Sequence, residues 1–211
     1  MQAVRHGASG AQAAWPAPGD RVSVIGSSCS GKTTMSRGLA DALGLLHVEM
    51  DALYHGPDWT PRPWPVVRAL VEQVTNGDRW VVDGNYSEVR PSVWPRADTV
   101  VWLDYRLSVV LWRLLRRTSR RIALREELWN GNREDVRTFL FSRDSLLLWV
   151  LQTYHRRKRQ YPELLARPEH AHLTLVHLAT PRQADDWLAA VRRAYSPHQP
   201  RARRTLSPID S

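Results

Sequence analysis

The chain has 211 residues, 43% hydrophobic and 24% charged, so it carries enough apolar material for one sizeable core. A single cysteine excludes an intrachain disulfide framework and fits a reducing cytosol, and no segment has the length and apolarity of a bilayer span, so the expected location is cytoplasmic. The formal charge of +9 admits nucleic acid as a partner; residues 106–160 hold 14 Lys/Arg against 5 Asp/Glu, while the rest of the chain balances at 16 against 16.

In chain order, residues 1–18 read as a disordered Ala/Gly/Pro-rich tail that lacks the uninterrupted apolar run of a signal peptide. One compact domain is expected over 19–195. Arg21-Val22-Ser23-Val24-Ile25 reads as a short buried strand. It leads into Gly26-Ser27-Ser28-Cys29-Ser30-Gly31-Lys32-Thr33-Thr34, a complete Gly-x4-Gly-Lys-Thr phosphate loop. Lys32 to Leu43 reads as a helix with Met35, Leu39, Ala42 and Leu43 on one face and Gly44 as its stop. A strand, loop and helix in this order aim backbone N–H groups and a helix N-terminus at a phosphate. Lys32 then reaches the β/γ oxygens, and the Thr33 hydroxyl is placed to ligate Mg²⁺.

By composition alone, the motif arises in roughly one chain of this length in a hundred, and the flanking strand and helix make chance rarer. The chain has 28 Arg and two Lys, Lys32 and Lys158, so lysine stands where a compact ammonium on a flexible stem is wanted. Cys29 reads as a small filler in a loop with fewer glycines than many.

Leu45–Met50 reads as a second strand ending in Asp51. A Pro/Trp-rich loop follows over 54–65, then a helix from Val66 to Thr75. Arg79–Val82 is a third strand ending in Asp83-Gly84-Asn85-Tyr86, and Thr99–Leu103 a fourth ending in Asp104, a carboxylate read as the cap of the next helix. An Arg-rich helical region over about 106–160 is broken near Asn130-Gly131-Asn132. In it, Leu146–Leu151 with Trp149 and Tyr154 reads as a core contact. Leu173–Leu178 is the last strand, before a closing helix to Ala194 and a second disordered tail over 196–211. Strands alternating with helices specify a three-layer α/β/α domain with a five-stranded parallel sheet. Ligands of such sheets bind beyond the carboxyl ends of the strands, where the phosphate loop, Asp51 and Asp83 gather.

These residues resemble the adenylate-kinase-like small-molecule kinases of the P-loop superfamily, and within them the bacterial topology-modulation, FlaR-like proteins. The resemblance spans roughly residues 20–194. It rests on the loop, on Asp51-Ala52-Leu53-Tyr54 with Pro57 and Trp59, on Arg79 to Tyr86, on Ala97 to Asp104, on the Arg-rich run and on Thr180-Pro181-Arg182. It implies a Mg²⁺-dependent transfer of the γ-phosphate of ATP or GTP to a hydroxyl. Asp83 matches the acid that holds Mg²⁺ through water, although a cap of the next turn would put an acid there too. Asp51 matches a carboxylate near the acceptor hydroxyl, able to take its proton, and a helix cap is again the alternative. His55 is a competing base.

In relatives, arginines nine and thirteen residues beyond the fourth-strand aspartate face the nucleotide; these offsets fall on Arg113 and Arg117. Arg120 and Arg121 continue that face, with Arg156, Arg157 and Arg159 on the returning helix of this lid. Arg117 and Arg156 are the expected catalytic arginines, alongside Lys32 and Asp51. Thr180-Pro181-Arg182 matches the loop lying along the purine, and equally a helix start with Pro181 at its first position.

Tyr54, His55, Trp59, Asn85, Tyr86 and Arg90 are the acceptor-side candidates. Trp59, Trp64 and Trp94, flanked by prolines, suggest a rigid apolar pocket. Asn85-Tyr86 departs from the Phe-Pro-Arg of nucleotide-monophosphate kinases, which disfavours that acceptor. The preferred acceptor is a small molecule with a hydroxyl, nucleoside-like or a natural product, including an antibiotic inactivated by phosphorylation. A DNA-binding or topology-influencing protein using the basic 106–160 face is the alternative. No membrane partner is expected, and monomer and homodimer both remain open.

Overall fold

The computed structural model describes residues 15–84, 86–124 and 146–195, with backbone only at 58, 121–124 and 146. The tails as far as residue 14 and from 196, the break near Asn130, Asn85 and the Arg121 side chain lie outside the described residues.

The elements alternate as expected: β1 Arg21–Gly26, α1 Lys32–Leu43, β2 Leu46–Glu49, α2 Met50–Tyr54, α3 Trp64–Thr75, β3 Trp80–Asp83, α4 Arg90–Val93, β4 Thr99–Leu103, α5 Leu107–Leu124, α6 Leu146–Leu165, β5 Thr174–Leu178 and α7 Pro181–Tyr195. The five strands form one parallel sheet in the order β2-β3-β1-β4-β5. Central strands buried on both faces are mostly apolar, which is why Val22-Ser23-Val24-Ile25 and Thr99-Val100-Val101-Trp102-Leu103 show no regular alternation, with only Ser23 and Thr99 polar among them and both buried.

Period two divides these side chains between two layers. Val22, Val24, Val101, Val176 and Leu178 face Met35 and Leu39 of α1, Leu114 of α5 and Trp187 and Leu188 of α7. Ile25, Val48, Val82, Val100 and Trp102 face Val67 and Val71 of α3, Val93 of α4 and Tyr161 of α6. The first layer extends further than the domain bounds implied. Trp15 packs on it, and the Trp187 indole N–H donates to the Pro16 carbonyl at 3.2 Å, so the chain is on the domain before residue 19.

Several boundaries shift for local reasons. Helix α1 ends as predicted, with Gly44 left-handed at φ 66° and the Gly44 and Leu45 amides closing on Ala40. Strand β2 stops at Glu49, so Asp51 is not a strand-end residue but lies in the first turn of α2. Helix α3 begins at Trp64, with Pro65 in its first turn, and not at Val66. In α6, Val150 and Tyr154 are buried as expected, whereas Leu148, Trp149 and Leu151 are exposed: a helix presents only one stripe to a core.

Candidate functional site

Strand β1 pairs with β3 on one side and β4 on the other, so the chain winds outward in both directions from it. The crevice at such a switch point is where α/β sheets bind ligands, and the phosphate loop opens into it. The backbone leaves β1 through Gly26 at φ 151°, where a β-carbon would lie 2.7 Å from the Leu103 carbonyl oxygen. The loop then turns back on itself, Ser30 N–H donating to Ser27 O at 3.1 Å. Helix α1 starts behind Gly31, itself left-handed at φ 94°. Cys29 also has positive φ, 62°, a conformation that costs an L-residue about 1 kcal/mol. It is partly buried against the α1/α7 layer, which agrees with a filler role.

The Lys32 ammonium donates to the carbonyls of Gly26 and Ser27 at 3.3 and 3.2 Å, curling over the loop that it follows. Burial lowers its pKa; Asp51 and Asp83 pull the other way, and Arg157 adds to the lowering. One partly buried amine therefore lies in the field of two carboxylates brought from different parts of the sheet edge. Asp83 ends β3 at 3% exposure, level with Val24 of β1 and Glu49 of β2, and His47 Nε2 lies 3.3 Å from its Oδ2. The Thr33 hydroxyl donates to Glu49 Oε1 at 3.1 Å, and Arg37 pairs with the other oxygen of Glu49 at 3.4 Å.

Asp51 accepts a 2.8 Å hydrogen bond from the Tyr86 hydroxyl across 35 residues of sequence. Burial and Asp51 together push the Tyr86 pKa up, so the phenol stays protonated and donating. Gly84 makes this approach possible: at φ 150°, its missing β-carbon would stand 2.6 Å from Met50 Cβ. Tyr86 sits in an aromatic wall with Tyr54 at 5.1 Å and Trp64 at 5.7 Å, Tyr54 and Trp64 being stacked at 4.7 Å. His55 meets Tyr54 and Trp59 edge-on, and burial lowers its pKa, which keeps the ring neutral at pH 7. Trp94 stands outside that aromatic wall but lines a small adjoining cavity with Tyr86, Arg90 and Tyr161. It is 2% exposed in the α3/α4 layer, with the Arg90 guanidinium 5.2 Å from its ring.

The arginines divide sharply. Arg113 donates to the Ser30 carbonyl at 2.8 Å, tying α5 to the phosphate loop, and Arg117 is partly buried one turn further on. Arg120 is exposed, as is Arg156 on α6. Arg157, not Arg156, is the half-buried arginine of the returning helix, lying over the Trp149 ring at 4.4 Å. Pro181 is the first residue of α7, and Thr180 caps that helix: its hydroxyl accepts from Gln183 N–H while the Gln183 side chain accepts from Ala179 and Thr180. Asp104 is not a cap, since Lys158 and His177, both at 3.1 Å, hold its carboxylate and tie β4 and β5 to α6.

Sequence reasoning passed over Glu49 and Tyr161, and it named Arg157 only as one of several lid arginines behind Arg156. The pair Glu49 and Asp51 flanking Met50 signalled two acids at one strand end. Helical spacing from Tyr154 through Arg157 to Tyr161 marked the inward face of α6.

No protein-family model matches the chain, and no curated protein matches it. Among solved structures, a shikimate kinase from Acinetobacter baumannii in complex with shikimate is 16% identical with TM-score 0.53, over 83% of this chain and 92% of that one. A gluconokinase from Sinorhizobium meliloti 1021 is 23% identical with TM-score 0.46, over 83% and 93%. A sugar kinase from Janibacter sp. HTCC2649 is 21% identical with TM-score 0.47, over 86% and 100%. The domain has the P-loop NTPase fold, and at these identities the likeness is one of fold. Among the described residues, no helix is long and apolar enough to cross a membrane.

Proposed function

We propose that the protein is a Mg²⁺-dependent phosphotransferase that moves the γ-phosphate of ATP or GTP to a hydroxyl of a small molecule. One observation carries this reading: a partly buried lysine amine, curled over the carbonyls of its own phosphate loop, lies in the field of Asp51 and Asp83. A phosphate-binding amine beside an acid for the metal and an acid for the acceptor is the minimum set for phosphoryl transfer. The shared fold with a protein named as a kinase agrees with it.

The residues present fit a hard dication. Thr33 and Glu49 bring oxygens within 3.1 Å of each other, and Asp83 stands beside Glu49 in register. Bound with the nucleotide, the ion would neutralise charge on the β- and γ-phosphate oxygens. The chain's own part is positioning and proton handling. Loop N–H groups and Lys32 fix the phosphates, while Arg113 braces the loop from behind through Ser30. The Asp51 carboxylate accepts one hydrogen bond among the described residues, from Tyr86, and that bond holds it in place to take the acceptor proton. His55, kept neutral by burial, is the weaker candidate base. Tyr54, Trp59 and Tyr86 form the acceptor wall, Arg117 lies over the nucleotide, and Pro181 borders the base. An antibiotic or other natural product is an acceptor class that the aromatic wall accommodates.

The test is to incubate the full chain with Mg²⁺, labelled ATP or GTP and a panel of hydroxylated metabolites and antibiotics. A mass gain of one phosphoryl group on an acceptor is expected, and Asp51→Asn should lower transfer by about 10²–10⁴ without changing nucleotide affinity. Nucleotide hydrolysis with no phosphorylated acceptor would count against the reading, and wild-type turnover in Asp51→Asn would remove Asp51 from the base role.

A further inference from the structure

A cleft of about 400 Å³ opens between α4 and α6, lined in part by Arg90, Arg156, Arg157, Gln160, Tyr161 and Glu163. Its volume lies within the range of small-molecule sites, but its chemistry is unlike the aromatic wall beside it. Three guanidinium groups converge there, and among the described residues none of Arg90, Arg156 and Arg157 forms an ion pair with a carboxylate. By contrast, Arg167 at the cleft margin pairs with Glu169 at 3.5 Å.

Two buried polar atoms sharpen the picture. Arg157 Nη1 and the Tyr161 hydroxyl are sealed from solvent and find no hydrogen-bond partner among the described residues. Tyr161 as a whole is 2% exposed, and its hydroxyl lies within electrostatic reach of all three arginines. Leaving a buried donor unsatisfied is costly, and gathering three guanidinium groups around a cleft whose one lining carboxylate, Glu163, pairs with none of them among the described residues adds to that cost. The burial and mutual repulsion that lower the Arg157 pKa follow from the same crowding. Arg157 also acts on Lys32 and Tyr86, so the cleft lies beside the phosphate loop and the Asp51 pocket.

We infer that this cleft binds the anionic group, a carboxylate or a phosphate monoester, of the acceptor whose hydroxyl faces Asp51. This rests on the phosphotransferase reading for its reaction, but not for its binding. An anion there accepts from the Tyr161 hydroxyl and Arg157 Nη1, supplies the missing counter-charge for Arg90 and Arg156, and anchors the acceptor at a fixed distance from the phosphate loop. The substrate class is then a hydroxylated small-molecule acid in place of a neutral ring compound.

The full chain is first saturated with Mg²⁺ and a non-hydrolysable ATP analogue, so that the phosphate loop is filled. It is then titrated calorimetrically with inorganic phosphate, malonate and neutral glycerol. Saturable binding of phosphate or malonate, and none of glycerol, is expected; whichever anion binds more tightly identifies a phosphoryl or carboxylate group. Tyr161→Phe, which keeps the ring, and Arg156→Gln, on an exposed position, should each weaken it at least fivefold, with Arg156→Lys retaining most of it. Absence of saturable anion binding, or unchanged affinity in both Tyr161→Phe and Arg156→Gln, overturns the inference. Displacement of the anion by a short DNA duplex overturns the small-molecule reading. If the ATP analogue fails to bind but phosphate still titrates the cleft, the phosphotransferase reading fails and the anion site stands.

Discussion

The two sides of the crevice are built on different physical plans. On the phosphate-loop side, nine consecutive residues make the site: backbone N–H groups, two glycines with positive φ and one lysine that folds back on its own loop. On the acceptor side, each contact joins distant segments. Tyr86 reaches Asp51, Arg90 meets Tyr161, and Arg157 comes in from α6 to act on Lys32. The first plan uses backbone geometry, which a short motif dictates. The second uses side chains whose meeting depends on the whole sheet. On the proposed reading, phosphate is the same in every nucleotide whereas acceptors differ, so the half that would meet phosphate is local and the half that would select the acceptor is assembled over distance.

That contrast can be tested with three substitutions. The largest effect belongs to Lys32→Met, which should cut phosphoryl transfer by about 10²–10³, the scale for losing one positioned donor to developing charge. The same change should raise the melting temperature of the nucleotide-free protein at neutral pH. Burial lowers the Lys32 pKa in the fold, so the unfolded chain binds the proton more tightly. Wild-type stability therefore gains a component as pH rises from the folded pKa towards the usual lysine value. That component should be absent from Lys32→Met in paired thermal melts across alkaline pH. A flat difference between the two proteins would mean that Lys32 carries no such penalty.

Next comes the acceptor side. Gly84→Ala should destabilise the protein by about 2–4 kcal/mol in urea unfolding, because the added methyl meets Met50 at 2.6 Å on a backbone with positive φ. Any folded fraction should transfer phosphate poorly, since Met50 and Tyr86 frame Asp51. A mild loss would show that the rim is looser than its contacts imply. The smallest effect returns to the loop: Cys29→Gly relieves the left-handed strain at φ 62° and should stabilise by up to about 1 kcal/mol, with transfer unchanged. A destabilised Cys29→Gly would assign the thiol's packing against the α1/α7 layer more weight than its backbone conformation.

What could be read from residue order alone follows the same division. The loop, the strand before it, the helix after it and its Gly44 stop were legible because phosphate loops and helix ends are local chemistry, decided within a few residues. The parallel five-stranded sheet was legible because β-branched runs such as Val22–Ile25 and Val100–Val101 alternate with helical stripes. Only the tertiary structure decided that Asp51 opens a helix and Glu49 ends the strand, because hydrogen bonding to β3 sets where β2 stops. It also left Arg157 half-buried and Arg156 exposed, two neighbours with the same charge whose directions differ by about 100° on a helix. A sequence states which groups are available, but which of them share one small volume is fixed by packing between residues far apart in the chain.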